Sequence, residues 1–204
     1  MNTPTKITIS RIIMTGFIIL LLLTPFHALG IQWSRFLVSG VYVNLMYVVA
    51  GILFVIASFT DFLDGYLARK NNQVTDLGKM LDAIADKILV NPVLIILATH
   101  GFINPIVPVV VVTRDIIVDA IKMEAARKGV VVAAIGSGKL KTATLMIGIT
   151  LTFFYNLPFE FMNLQVADFL LYFATAMSIL SAIEYFKLNK EIIFPKTEAV
   201  DLIG

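Results

Sequence analysis

The chain has 204 residues, 58% of them hydrophobic and only 15% charged, with a formal net charge of +2. Soluble domains carry about 25% charged residues, so this composition, with a mean hydropathy of +0.89, excludes an ordinary soluble domain. The absence of cysteine removes disulfides, thiolate zinc sites and cysteine nucleophiles together, and no nucleic-acid partner is expected.

Long stretches carry no Asp, Glu, Lys or Arg: 12–34, 36–60, 88–113, 142–159 and 169–183. Each is long enough for most or all of a bilayer crossing, which takes about 20 residues. In lipid every backbone polar group needs an internal partner, so such runs are read as helices. The first span is expected over 8–28, retained rather than cleaved as a signal peptide. The second covers 39–69 and the third 75–100. His100-Gly101 and Asn104-Pro105 break the next run, so a fourth follows at 104–127. The fifth covers 139–157 and the sixth 164–188. Pro105 and Pro158 suit helix ends, whereas Pro92 and Pro108 fall inside spans and are expected to kink them. The expected fold is therefore an all-α integral membrane protein with six transmembrane helices. A catalytic domain fills 1–190 and a short tail fills 191–204.

Basic residues orient it. With the amino terminus, the 69–79 turn, the 127–141 turn and the carboxyl tail on one side, Arg35 alone of the sixteen Lys and Arg falls in a loop on the other side. The positive-inside rule makes the richer side the cytosol, so both termini are expected there.

The region from Asp61 to Asp86 carries the chemistry. Its pattern is D-x(2)-D-G-x(2)-A-R-x(8)-G-x(3)-D-x(3)-D, occupied by Asp61, Asp64, Gly65, Ala68, Arg69, Gly78, Asp82 and Asp86. Asp61 and Asp64 share one helix face, and Asp82 and Asp86 share a face of the next. A short turn (71–75) makes these helices antiparallel neighbours, so the two pairs are expected to face each other at the cytosolic membrane edge. Two like charges about 4 Å apart repel by roughly 4 kcal/mol at an effective dielectric of 20. Four carboxylates need compensation, and hard oxygen ligands suit Mg²⁺ or Mn²⁺. Two ions balance the charge and serve phosphoryl transfer. Gly and Ala beside the carboxylates leave room for a ligand, and Arg69 can clamp a phosphate. Close helix packing through small residues is the competing reading of each glycine alone.

All eight positions match the signature of the CDP-alcohol phosphotransferases, membrane enzymes of phospholipid synthesis, which this chain resembles. The resemblance implies a six-helix fold, usually a homodimer, in a bacterial cytoplasmic membrane, with the active site facing the cytosol. It implies two metal ions on Asp61, Asp64, Asp82 and Asp86, with Asp86 also the catalytic base that activates an acceptor hydroxyl. That hydroxyl attacks the lipid-bearing phosphorus of a CDP-linked donor, and CMP leaves. Gly65, Ala68, Arg69, Thr75 and Gly78 are the implied nucleotide contacts, with Asp76 weaker.

Within the family, the Pro4…Thr8…Arg11-Ile12 opening, the segment Leu81–Lys87, Gly138-Lys139-Leu140-Lys141-Thr142 and Ile183-Glu184-Tyr185-Phe186 point to CDP-diacylglycerol as donor and glycerol 3-phosphate as acceptor. The product is then phosphatidylglycerophosphate. Departures from the family pattern are Thr5 for Asn, Ala83 for Pro, Asp115 for Glu and Lys122 for Arg.

A dianionic acceptor needs fixed positive charge. Arg114 lies inside the fourth span, which is costly without a function, and Lys139 and Lys141 begin the fifth. These three are the candidate acceptor-phosphate ligands. Snorkelling to anionic membrane lipids is the competing reading of the lysines, and Asp115 and Asp119 are expected to pair with Arg114 and Lys122. Gly136-Ser137-Gly138-Lys139 is not a phosphate loop, because Leu140 stands where Ser or Thr is required. Two alternatives stay open: the same chemistry on inositol phosphate, serine or another alcohol, and a divalent-cation transporter.

Overall fold

The computed structural model describes residues 3–38, 40–70, 76–133 and 135–194; the side chains of 61–70 are outside the described set. It is built on six long helices: α1 (Thr3–Leu23), α2 (Leu45–Lys70), α3 (Asp76–Thr99), α4 (Ile106–Arg127), α5 (Gly136–Phe153) and α6 (Val166–Leu188). A four-residue helix, α7 (Lys190–Ile193), follows, and a 3₁₀ turn (Phe159–Met162) links α5 to α6. The tail beyond residue 194 lies outside the described residues.

Several threonine hydroxyls within these apolar helices return their hydrogen bonds to the preceding turn. Thr15 donates to the Arg11 carbonyl, Thr152 to Gly148 and Thr175 to Leu171, so none of these groups is orphaned in an apolar setting.

Where the helices stop follows from local chemistry. α3 ends in a Schellman turn: Phe102 N–H reaches the Leu97 carbonyl and Gly101 N–H the Ala98 carbonyl. Gly101 supplies the left-handed residue at φ +79°. α4 ends the same way, through Val130 to Ala125 and Gly129 to Ala126. Asn104 Oδ1 accepts the Ile106 N–H at the start of α4. Pro108 therefore sits in the first turn, where no N–H is needed, rather than in the span interior. Pro92 does lie inside α3.

The second element differs from expectation. Residues 40–44 do not open the span expected from 39. Arg35–Val38 and Val41–Asn44 form an antiparallel hairpin, β1 and β2, with Phe36 opposite Val43 and Leu37 opposite Tyr42. β-Branched and aromatic residues favour the pleat, and α2 begins only after Asn44 caps it by accepting the Met46 N–H. The fifth helix also stops short of 157. Tyr155 and Asn156 adopt left-handed backbone, and Asn156 ties the turn to α6 by donating to the Leu164 carbonyl and accepting the Ala167 N–H.

The six helices pack in a closed ring, α1–α2–α5–α6–α4–α3 and back to α1. α2 and α3 touch, but α1 packs far more extensively on each than they do on one another. Phe54, Leu89, Leu94, Leu97, Leu145, Ile149 and Phe153 are wholly or almost wholly buried inside. α5 and α6 approach closely at Gly148, where a Cβ would lie 2.9 Å from Leu171 Cδ2. Large apolar side chains stand outward on every long helix, including Phe17, Phe59, Ile95, Ile116, Ile147 and Phe169. α1 and α6 carry segments long and apolar enough to cross a membrane. These features agree with the membrane reading of the sequence.

Candidate active site

The site lies at the end of the ring where α2 finishes, α3 begins and α5 begins. On α3, Asp82 and Asp86 are one turn apart. Arg11 of α1 is fully buried and donates from Nη1 to Asp82 Oδ1 at 3.2 Å. The Asp82 side chain keeps 51% of its surface exposed. Asp86 is more enclosed and lies within electrostatic range of Lys141, Asp115, Asp82 and Arg11. Gly78 is on the first turn of α3, part-buried. Asp61, Asp64, Gly65, Ala68 and Arg69 fall on the last turns of α2; their side chains lie outside the described residues, as does Thr75 entirely.

Behind Asp86 a cavity of about 570 Å³ opens between α3, α4 and α5, with Tyr185 of α6 in its wall. Its lining includes Arg114, Lys139 and Lys141, so the three candidate phosphate ligands from two different helices share one space with Asp86. Lys87 and Lys122 bring the cations to five, against the three carboxylates Asp86, Asp115 and Asp119. The surplus is positive, which favours an anion.

The side chains are held from several directions. Arg114 donates from Nε to Ser181 Oγ at 2.9 Å and from Nη1 to Asp115 Oδ1 at 3.0 Å. Its guanidinium carbon stands 5.5 Å from the centre of the Tyr185 ring. A Cβ on Gly138 would come 3.3 Å from Arg114 Nη2, so the glycine leaves room for the guanidinium beside α5. Lys141 is only 4% exposed and donates to both oxygens of Asp115, at 3.0 and 3.2 Å. That burial rules out snorkelling for Lys141: its ammonium turns inward to a carboxylate. Lys139 Nζ has no carboxylate partner among the described residues.

One expected pairing is corrected. Asp115 pairs with Arg114 as anticipated and also takes Lys141. Asp119 does not take Lys122; it pairs across the helix interface with Lys87 of α3. Lys122 instead lies over Tyr185, 5.3 Å from the ring centre. Sequence reasoning gave no role to Ser181 and Tyr185. They lie one turn apart on α6, and their i,i+4 spacing was the available signal, but it does not say which helix they face.

A metal is tested here by donor chemistry. Asp82 and Asp86 are oxygen donors one turn apart, one of them half-exposed, and they suit a hard divalent cation. Among the described residues no three acidic or histidine side chains converge; Asp61 and Asp64 are outside that set.

Fold and site thus define a mostly helical protein, with two helices apolar enough to cross a membrane and a cationic cavity opening beside paired carboxylates. Residues 1–185 match the family model of CDP-alcohol phosphatidyltransferase, and the chain belongs to that family. It is 38% identical over 192 residues to the CDP-diacylglycerol–glycerol-3-phosphate 3-phosphatidyltransferase of Bacillus subtilis, covering 94% of this chain and 97% of the relative. Proteins of the same name from Rickettsia typhi and Haemophilus influenzae are 33% and 32% identical. They cover 93% of this chain in both cases and 97% and 94% of the relatives.

Proposed function

We propose that the chain transfers a phosphatidyl group from CDP-diacylglycerol to glycerol 3-phosphate, yielding phosphatidylglycerophosphate and CMP. The observation that carries this reading is the single cavity shared by Asp86, Arg114, Lys139 and Lys141. A dianionic acceptor held by those cations has its hydroxyl end free to approach Asp86.

In this mechanism Asp86 takes the proton of the acceptor hydroxyl. The hydroxyl oxygen bonds to the lipid-bearing phosphorus, and the bond from that phosphorus to the cytidylate oxygen breaks. CMP leaves with the electron pair. Asp115 holds Arg114 and Lys141 in place while leaving the cavity net positive. Gly65, Ala68, Arg69, Thr75 and Gly78 contact the nucleotide. Asp61, Asp64, Asp82 and Asp86 would hold two ions, Mg²⁺ or Mn²⁺, whose charge would offset the carboxylates and the donor phosphates. Arg11 supplies a fixed countercharge to Asp82 from the neighbouring helix α1.

All six long helices cross a bacterial cytoplasmic membrane, with both termini and the site on the cytosolic side. The outward apolar side chains on each long helix support this. Residues 1–190 form the catalytic domain and 191–204 its tail. A homodimer rests on the family resemblance alone.

Purified protein given labelled CDP-diacylglycerol and a panel of acceptors tests the assignment. Glycerol 3-phosphate is expected to drive CMP release. Preference for inositol phosphate or serine overturns the acceptor, and no CMP release with any alcohol overturns the reaction.

A further inference from the structure

A second cavity, of about 720 Å³, lies at the opposite end of the ring, between the turn after α1 and the β-hairpin. Met46, in its wall, is separated from Asp61 along α2 by 15 residues, about 22 Å of helix at 1.5 Å per residue. It is therefore remote from the site already described.

Its wall is rich in hydrogen-bond donors and carries no carboxylate. Arg35 lines it and has no acidic partner among the described residues. The Nε1–H of Trp33 is buried without an acceptor, while the ring is fixed edge-on against Phe26, 5.5 Å between centres. Asn44, also in the wall, uses its side-chain oxygen to accept the Met46 N–H at 2.9 Å. Arg35 is exposed to this space and Asn44 half-buried beside it, so the wall offers positive charge and polar groups with no negative charge against them, which favours an anion. Beside the mouth stand exposed apolar side chains: Leu29 at 62%, Ile31 at 51% and Leu37 at 60%. Water is a poor environment for them and acyl chains are a good one. Another cavity near this end, lined by Glu160 and Asp168, lacks this charge character.

We propose that this cavity binds the phosphodiester of an anionic phospholipid in the leaflet remote from Asp82. Arg35 pairs with the phosphate beside Asn44 and the Trp33 ring, and the acyl chains run along Leu29, Ile31 and Leu37. The proposal goes beyond the catalytic reading and does not depend on it.

The chain contains one tryptophan, and it lines this cavity, so intrinsic tryptophan emission reports on the site directly. The full chain in detergent is titrated with dihexanoyl phosphatidylglycerol, dihexanoyl phosphatidylcholine or inorganic phosphate. The expected result is a saturable emission change with phosphatidylglycerol alone. Arg35→Gln should weaken it at least about tenfold, as expected for one charged hydrogen bond, while CMP release stays native. Asn44→Asp keeps the cap oxygen for Met46 and sets a negative charge against the phosphate; it too should abolish the response. An equal response to phosphatidylcholine, or saturation by inorganic phosphate, overturns the proposal. So does a native response in either variant.

Discussion

Lys141→Met is the sharpest test of the cationic cavity. The ammonium is 4% exposed and shares Asp115 with Arg114. Removing one partner of a buried ion pair normally leaves an uncompensated charge and is strongly destabilising. Here Asp115 keeps its 3.0 Å contact with Arg114, so the carboxylate is not orphaned and the fold is expected to survive. The loss falls on the ligand. A hydrogen bond to a charged group contributes about 1.5–3 kcal/mol, and each 1.4 kcal/mol or so is a factor of ten. The KM for glycerol 3-phosphate should therefore rise about 10- to 100-fold. Arg114, now the sole cation on Asp115, is more fully neutralised, which moves the expected value toward the upper end. The KM for CDP-diacylglycerol should change by no more than about twofold, because uniform loss of binding at one subsite leaves the other intact. Initial rates of CMP release with each substrate varied in turn measure both constants. A parallel rise in both, or an unchanged acceptor KM in folded protein, refutes the placement of the acceptor phosphate.

Three further outcomes follow from the same geometry. Asp86→Asn should abolish CMP release while CDP-diacylglycerol binding, read by ligand-induced thermal stabilisation, persists; near-native turnover removes Asp86 as the base. Chelation of divalent ions should stop the reaction, and Mg²⁺ or Mn²⁺ should restore it; full activity in excess chelator contradicts the carboxylate assignment. Gly148→Val places atoms where a Cβ alone meets Leu171 at 2.9 Å and its backbone nitrogen at 3.4 Å. Overpacking of this kind costs about 1–3 kcal/mol, read as a lowered unfolding temperature in detergent.

Helix positions were readable from the sequence because charge-free runs and their breakers are strong local signals. Gly101 ends α3 where the sequence placed a break, and α4 ends at Arg127, the expected end of the fourth span. The hairpin was not readable. Residues 36–44 carry no charge, like the run that continues into α2, and only the turn at Gly40, with φ +93°, and the alternation of faces separate strand from helix. At the site, residue types were informative but pairings were not. Asp119 has Lys122 three residues away on its own helix, yet it meets Lys87 from α3, because helix packing brings that ammonium nearer. Ser181 and Tyr185 look like ordinary span residues until α6 is set against α4. A sequence read one helix at a time has no access to such contacts.

Among the described residues, composition picks out only α1 and α6 as long apolar spans, which leaves four helices to be argued from side-chain direction. On α4, Val109, Ile116 and Met123 form an outward stripe at 63%, 64% and 69% exposure, spaced by sevens. Val111, Asp115, Val118 and Ala125 are buried on another face. The charges that lower the hydropathy of α4 thus include a buried one, and Arg114 is drawn into the same cavity. A helix with this distribution suits lipid outside and a polar cavity inside. Because the chain has no cysteine, topology can be tested without background. Val131, 94% exposed between α4 and α5, and Met162, 68% exposed between α5 and α6, should lie on opposite sides of the membrane if α5 crosses it. In intact cells a membrane-impermeant maleimide should label Met162→Cys and reach Val131→Cys only after permeabilisation. Labelling of both from outside, or of neither until the membrane is opened, would mean that α5 does not cross, and the six-span reading would fail with it.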